Sequence, residues 1–225
     1  MIVKKYKLLI LFSLSAWSLS AQLNLGMQAS YLQTFFLGGE GHPGFGLRGE
    51  VGVSEEVAIQ VGFHYFFSAN YFRDLEGIAI SSLTAEQVVT IHTISTVVFT
   101  DYYVGVKYYL SGKHSTLKKA SGVGVYIAGD FGVVVAGFET TADSTNSLNW
   151  SLYTVPVKEP QLGAFTYLSL NPSIGVERMF GSIYGYTELK AYVQVYETSS
   201  SGLKFETPYT FNFNIGIRIP FGGEY

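Results

Sequence analysis

Eight charged residues stand at alternating positions along otherwise apolar stretches: Arg48, Lys107, Lys190 and Arg218, with Glu50, Asp130, Glu177 and Glu188. If the backbone there is extended, each points away from the face its apolar neighbours occupy. Four positive and four negative groups on one face can neutralise one another. Where that face is enclosed, pairing is required, because an unpaired buried charge is costly. Where some of the eight lie at a rim, water solvates them instead. The expectation is the enclosed case, a structural network of paired charges, with hydration at a rim as the plainer alternative.

Catalysis would need a nucleophile or an activated water beside a placed base. The candidates are His64 on the less apolar face, His92 in a connection, and Asp74, Glu76 or Asp101 near one end. No spacing ties them together, and a single enclosed histidine is more simply read as a satisfied structural residue. No catalytic residue is therefore assigned. The four histidines include no close pair and the chain has no cysteine, so neither a metal site nor a cofactor is expected. Without a basic patch, nucleic acid is not an expected partner. Asn149-Trp150-Ser151 matches a glycosylation sequon and is treated as a chance match.

The elements that must hold these residues are strands. The clearest spans residues 211–221, where Phe211, Phe213, Ile215, Ile217, Ile219 and Phe221 alternate with Asn212, Asn214, Gly216, Arg218 and Pro220. Period-two patterns of the same kind are predicted at about 23–35, 44–53, 57–67, 94–110, 123–138, 164–179 and 183–196. The strand at 183–196 is the least clean, because Tyr184 and Tyr186 fall on its less apolar face. That makes eight strands, an even number that returns both ends to one side. The connections at 38–43, 68–93, 139–163 and 198–207 are expected on the opposite side from the termini. Tyr71 and Phe72 in the second, and Trp150 and Tyr153 in the third, are candidate contacts for a partner. The plainer reading places them in an aromatic girdle at the rim.

Composition says which face looks outward. Seventeen Tyr, seventeen Phe and 25 Gly accompany only 14% charged residues. A soluble barrel buries its apolar face and shows charge to water. Here the less apolar face is rich in glycine, including Gly26, Gly46, Gly62, Gly105, Gly132, Gly175 and Gly216. Glycine weakens a solvent-facing strand, but inside a narrow barrel it makes room for large neighbours. The sequence therefore predicts an all-β, eight-stranded antiparallel transmembrane barrel, up-and-down, apolar outside, with a polar lumen filled by side chains. Residues 1–21, with Lys4, Lys5 and Lys7 before the apolar run 8–14 and Leu19-Ser20-Ala21 at the end, are expected to be a signal peptide. The barrel is expected to occupy 22–225.

A signal peptide, eight alternating strands and an aromatic closing strand together resemble the small outer-membrane β-barrel family, which includes the OmpA-type transmembrane domain. The resemblance covers residues 22–225. It implies residence in the bacterial outer membrane, contact with its lipid, and assembly by the machinery that reads a terminal aromatic, here Phe221 or Tyr225. The leader ending Ser20-Ala21 before Gln22 and the tyrosine-rich strands also look like barrel proteins of Bacteroidetes. The implied role is structural, or interaction with an unknown extracellular partner through the outer loops. The alternatives are a narrow solute pore and a lipid-directed enzyme. The lipid A palmitoyltransferase likeness lacks that enzyme's amphipathic N-terminal helix, since Gln22 leads directly into the first strand.

Overall fold

The computed structural model describes residues 23–34, 41–79, 88–111, 123–142, 153–154, 162–199 and 210–221. Nine strands occur among them: β1 (Leu23–Thr34), β2 (Gly41–Gly52), β3 (Val57–Ala79), β4 (Val88–Ser111), β5 (Val123–Ala142), β6 (Tyr153–Thr154), β7 (Leu162–Phe180), β8 (Ile183–Ser199) and β9 (Thr210–Phe221). Eight of them close a barrel. Each long strand pairs antiparallel with the next, β5 pairs with β7, and β9 returns to β1 with Phe221 opposite Leu23. The two-residue β6 stands outside the barrel, on the edge of β3. Closure leaves no free edge within the wall, so the backbone groups there are paired without water.

The period-two pattern sets the two faces. Leu25, Met27, Leu47, Val61, Val104, Ile174, Leu189 and Ile215 are exposed on the exterior, each between inward residues. The exterior of a soluble monomer rarely carries an apolar patch above a few hundred Å². Here the apolar surface continues around the wall, which suits hydrocarbon and not water. Aromatic rings gather on it: Phe45 lies 6.2 Å from Phe63 and 5.8 Å from Tyr65, and Phe63 lies 5.4 Å from Tyr102.

Two turns at the end nearer the termini are short. Ser54 Oγ accepts from the amides of Glu56 and Val57 between β2 and β3. Gly181, at φ 64°, opens the two-residue turn between β7 and β8, a conformation that favours glycine in tight hairpins.

The other end differs from expectation. A tilted membrane strand needs about 9–11 residues. β1, β2 and β9 have 12 each, whereas β3 has 23 and β4 has 24. The connection expected over 68–93 is therefore largely a β-ribbon, paired from Ala69↔Val97 to Ile78↔Val88. Between Phe66 and Ala69, β3 advances three residues while β4 advances two, from Phe99 to Val97. That bulge reverses which residues of β3 face inward. His64 and Phe66 point to the axis below it, and Tyr71 does so above it.

Candidate functional site

The inward face is the distinctive part of the molecule, and it is layered. The layer nearest the short turns is ionic. Glu50 Oε1 lies 3.3 Å from Lys107 Nζ, and Glu50 Oε2 lies 3.0 Å from Arg218 Nη1. Glu177 faces the same two bases, 3.0 Å from Lys107 Nζ and 2.5 Å from Arg218 Nη2. Arg48 Nη1 approaches Glu50 at 3.6 Å, and its Nη2 donates to Glu188 at 2.6 Å. Glu188 also accepts from Tyr126 Oη at 3.1 Å and Asn214 Nδ2 at 3.3 Å. These residues sit on β2, β4, β5, β7, β8 and β9, so the cluster ties together strands distant in sequence. One step further, Lys190 lies 2.6 Å from Asp130, which also accepts from Gln60 Nε2 at 2.6 Å. All eight predicted charges are buried, and every one has an opposite charge within 3.6 Å.

Aromatic rings cover the cations. Lys190 Nζ lies 3.6 Å from the centre of the Tyr103 ring, Lys107 Nζ 3.8 Å from Tyr126, Arg218 Cζ 4.2 Å from Tyr184 and Arg48 Cζ 5.0 Å from Tyr186. Such contacts gain strength when desolvated. Three of these tyrosines lie across from a glycine: Tyr103 pairs Gly62, Tyr126 pairs Gly175 and Tyr186 pairs Gly216. A Cβ at Gly62 would meet Tyr103 Cζ at 2.3 Å, and one at Gly175 would meet Tyr126 Cζ at 2.2 Å. The glycine is the floor on which the ring lies. Gly62→Val is therefore expected to lift Tyr103 off Lys190 and to lower unfolding free energy by about 1–3 kcal/mol. Urea unfolding in lipid vesicles measures this, and a change within experimental error would contradict the packing described.

The next layer is a hydrogen-bonded chain. Tyr186 Oη donates to Gln28 Oε1, and Gln28 Nε2 faces His64 Nε2. His64 Nδ1 lies 3.0 Å from Asp101 Oδ2, which also accepts from Tyr192 Oη at 2.8 Å. The lumen then turns apolar. Leu32, Phe66, Val97, Phe99, Val134, Ala136, Phe165 and Tyr167 form one buried cluster at the ribbon end. The lumen is thus not polar throughout, as the glycine-rich face implied. Inward phenylalanines fill its end beside the ribbon.

Several sequence expectations change. Tyr71 is not a surface contact: it is 1% exposed, hydrogen-bonded to His42 and lying 3.0 Å from Thr34 Oγ1. The β3 bulge turns it inward. Phe72 is 68% exposed, but on strand β3 and not in a loop. Tyr153 belongs to β6. Trp150 and Tyr225, like residues 1–22, lie outside the described residues, whereas Phe221 ends β9 and pairs Leu23. His64 and Asp101, thought unconnected, are in contact; both are fully buried, with no surface open to a substrate. Asp74 and His92 are register partners in the ribbon. The four cation-covering tyrosines were missed as a set. The available signal was Tyr184 and Tyr186 on the supposedly polar face of their strand.

No protein-family model matches the chain, and neither does any curated protein. Solved structures do. Neisserial surface protein A superposes with a TM-score of 0.51 at 9% identity, covering 89% of this chain and 97% of that one. A major outer membrane protein from Thermus thermophilus gives 0.47 at 11% identity over 90% and 100%. The N-terminal β-barrel domain of Pseudomonas aeruginosa OprF gives 0.44 at 9% identity over 90% and 100%. The first likeness is one of fold: a closed antiparallel eight-stranded barrel.

Proposed function

We propose that the chain is an integral protein of the bacterial outer membrane whose filled barrel anchors an outward β-ribbon used for docking. The reading is carried by one observation. β3 pairs with β2 only as far as Phe66, yet it continues to Ala79. His42 Nδ1 lies 3.0 Å from Phe67 O, and beyond that contact no described strand pairs with this edge until β6 does so at Ile78 and Ala79. A strand edge held clear of the membrane is a template for an extended segment of a partner, added through main-chain hydrogen bonds. The ionic layers serve as a rigid plug beneath it. Outer-membrane lipid and the barrel-assembly machinery, which would read Phe221 or Tyr225, are the remaining partners in this account.

Shortening the ribbon tests the reading. Replacing 74–92 with a tight turn between the register partners Arg73 and Thr93 spares Tyr71, Val97 and the pairing of β4 with β5; it should leave the barrel folded but abolish recovery of extracellular partners from intact outer membranes. Equal recovery with and without the ribbon would contradict it. The pore alternative makes the opposite prediction in planar bilayers. The filled lumen should be electrically silent, and discrete open steps would favour a pore.

A further inference from the structure

The charges of the lumen do not sum to zero. Among the described residues, five carboxylates are buried, Glu50, Asp101, Asp130, Glu177 and Glu188, against the four bases Arg48, Lys107, Lys190 and Arg218. Of the five, Asp101 is the one with no lysine or arginine within ion-pair distance among the described residues. Its neighbour His64 does not supply the missing positive charge. Tyr186 donates to Gln28 Oε1, which turns the Gln28 amide nitrogen toward His64 Nε2. Nε2 must then accept, and Nδ1–H donates to Asp101 Oδ2, so the imidazole is neutral. An uncompensated buried carboxylate is costly.

A second observation falls at the same place. Asp101 Oδ1, Ser169 Oγ and both side-chain amide atoms of Asn171 are buried without a hydrogen-bond partner. Asp101 and Ser169 are 0% exposed and Asn171 is 1%. All three side chains converge on Gly132. The Cβ that Gly132 lacks would lie 2.6 Å from Asn171 Nδ2, 2.9 Å from Ser169 Oγ and 3.0 Å from Asp101 Oδ1. The missing Cβ therefore leaves a notch into which three unsatisfied polar groups crowd. Neither Asn171 amide atom has a partner, so a half-turn of the amide presents Oδ1 to the notch without breaking a hydrogen bond.

We propose that this notch binds one monovalent cation of sodium size, held by Asp101 Oδ1, Ser169 Oγ and Asn171 Oδ1. Carboxylate, hydroxyl and amide oxygens are ligands for hard cations. One positive charge brings the described lumen to neutrality, whereas a divalent ion would overshoot. A water molecule would satisfy the hydrogen bonds but leave the charge. The site lies between the ionic layers and the apolar outer layer, so the ion enters as the barrel folds and acts as a structural component.

The test is refolding from denaturant into detergent micelles in sodium chloride or in equimolar choline chloride, followed by thermal unfolding. The expected result is a higher midpoint in sodium, rising to saturation with concentration and independent of total ionic strength. Asp101→Asn should abolish the difference between the salts. Where Asp101→Asn fails to fold, Ser169→Ala decides, because it keeps every charge and removes one ligand. It should raise the half-saturating sodium concentration about tenfold. Equal midpoints in both salts would overturn the proposal and leave water in the notch. A midpoint that follows pH but not sodium would overturn it in favour of a proton on His64 or Asp101.

Discussion

Glu50→Leu should destabilise the barrel by about 3–5 kcal/mol, the range for removing one partner of a buried ion cluster. Glu50 faces Lys107 at 3.3 Å, Arg218 at 3.0 Å and Arg48 at 3.6 Å. Without it, three cations remain in a dry layer with Glu177 and Glu188, and none can reach water. The size of the effect reports the charge left behind, not the net worth of the contacts. The double variant Glu50→Leu with Lys107→Met should accordingly recover part of the loss, since an apolar pair of matched volume replaces both charges. Circular dichroism of urea unfolding in lipid vesicles reads both. A loss below about 1 kcal/mol for Glu50→Leu would mean that the cluster is hydrated and behaves as surface pairs do.

Ile215→Arg should cost about 2–4 kcal/mol in a bilayer, the range for a cation on the lipid face near the midplane. Ile215 is the sixth residue of the twelve in β9 and lies opposite Ala29 and Thr187. It is 54% exposed, yet three residues along the same strand Arg218 is 1% exposed. The same side chain is thus accommodated on one face by Glu50, Glu177 and Tyr184, and has nothing to pair with on the other. In a water-soluble barrel the ranking would reverse, and an exposed isoleucine could become arginine within about 0.5 kcal/mol.

The wall of this protein was legible because its two faces differ in kind. In β9 every inward residue from Asn212 to Arg218 is polar or glycine and every outward one is apolar. The charge-bearing face of β2, β5 and β7 follows from the same alternation. Three features were not legible, each for a physical reason. Phe66, Phe99 and Phe165 look like lipid-facing residues by type, so the apolar outer layer of the lumen cannot be told from the exterior without the register. The ribbon was hidden because Arg73, Asp74 and Glu76 break its apolar pattern, and the bulge after Phe66 shifts its parity by one residue. The contact between His64 and Asp101 spans 37 residues and depends on their being register partners across β3 and β4. No spacing in the sequence encodes that pairing.

The central claim is that the apolar face meets hydrocarbon. The chain contains no cysteine, so a single cysteine at Val104 or Ile215 carries a nitroxide at one known place. In lipid vesicles, the account predicts that both labels collide readily with dissolved oxygen and are shielded from a water-soluble nickel complex. Free access of the nickel complex to Val104 and Ile215, with little exposure to oxygen, would contradict it.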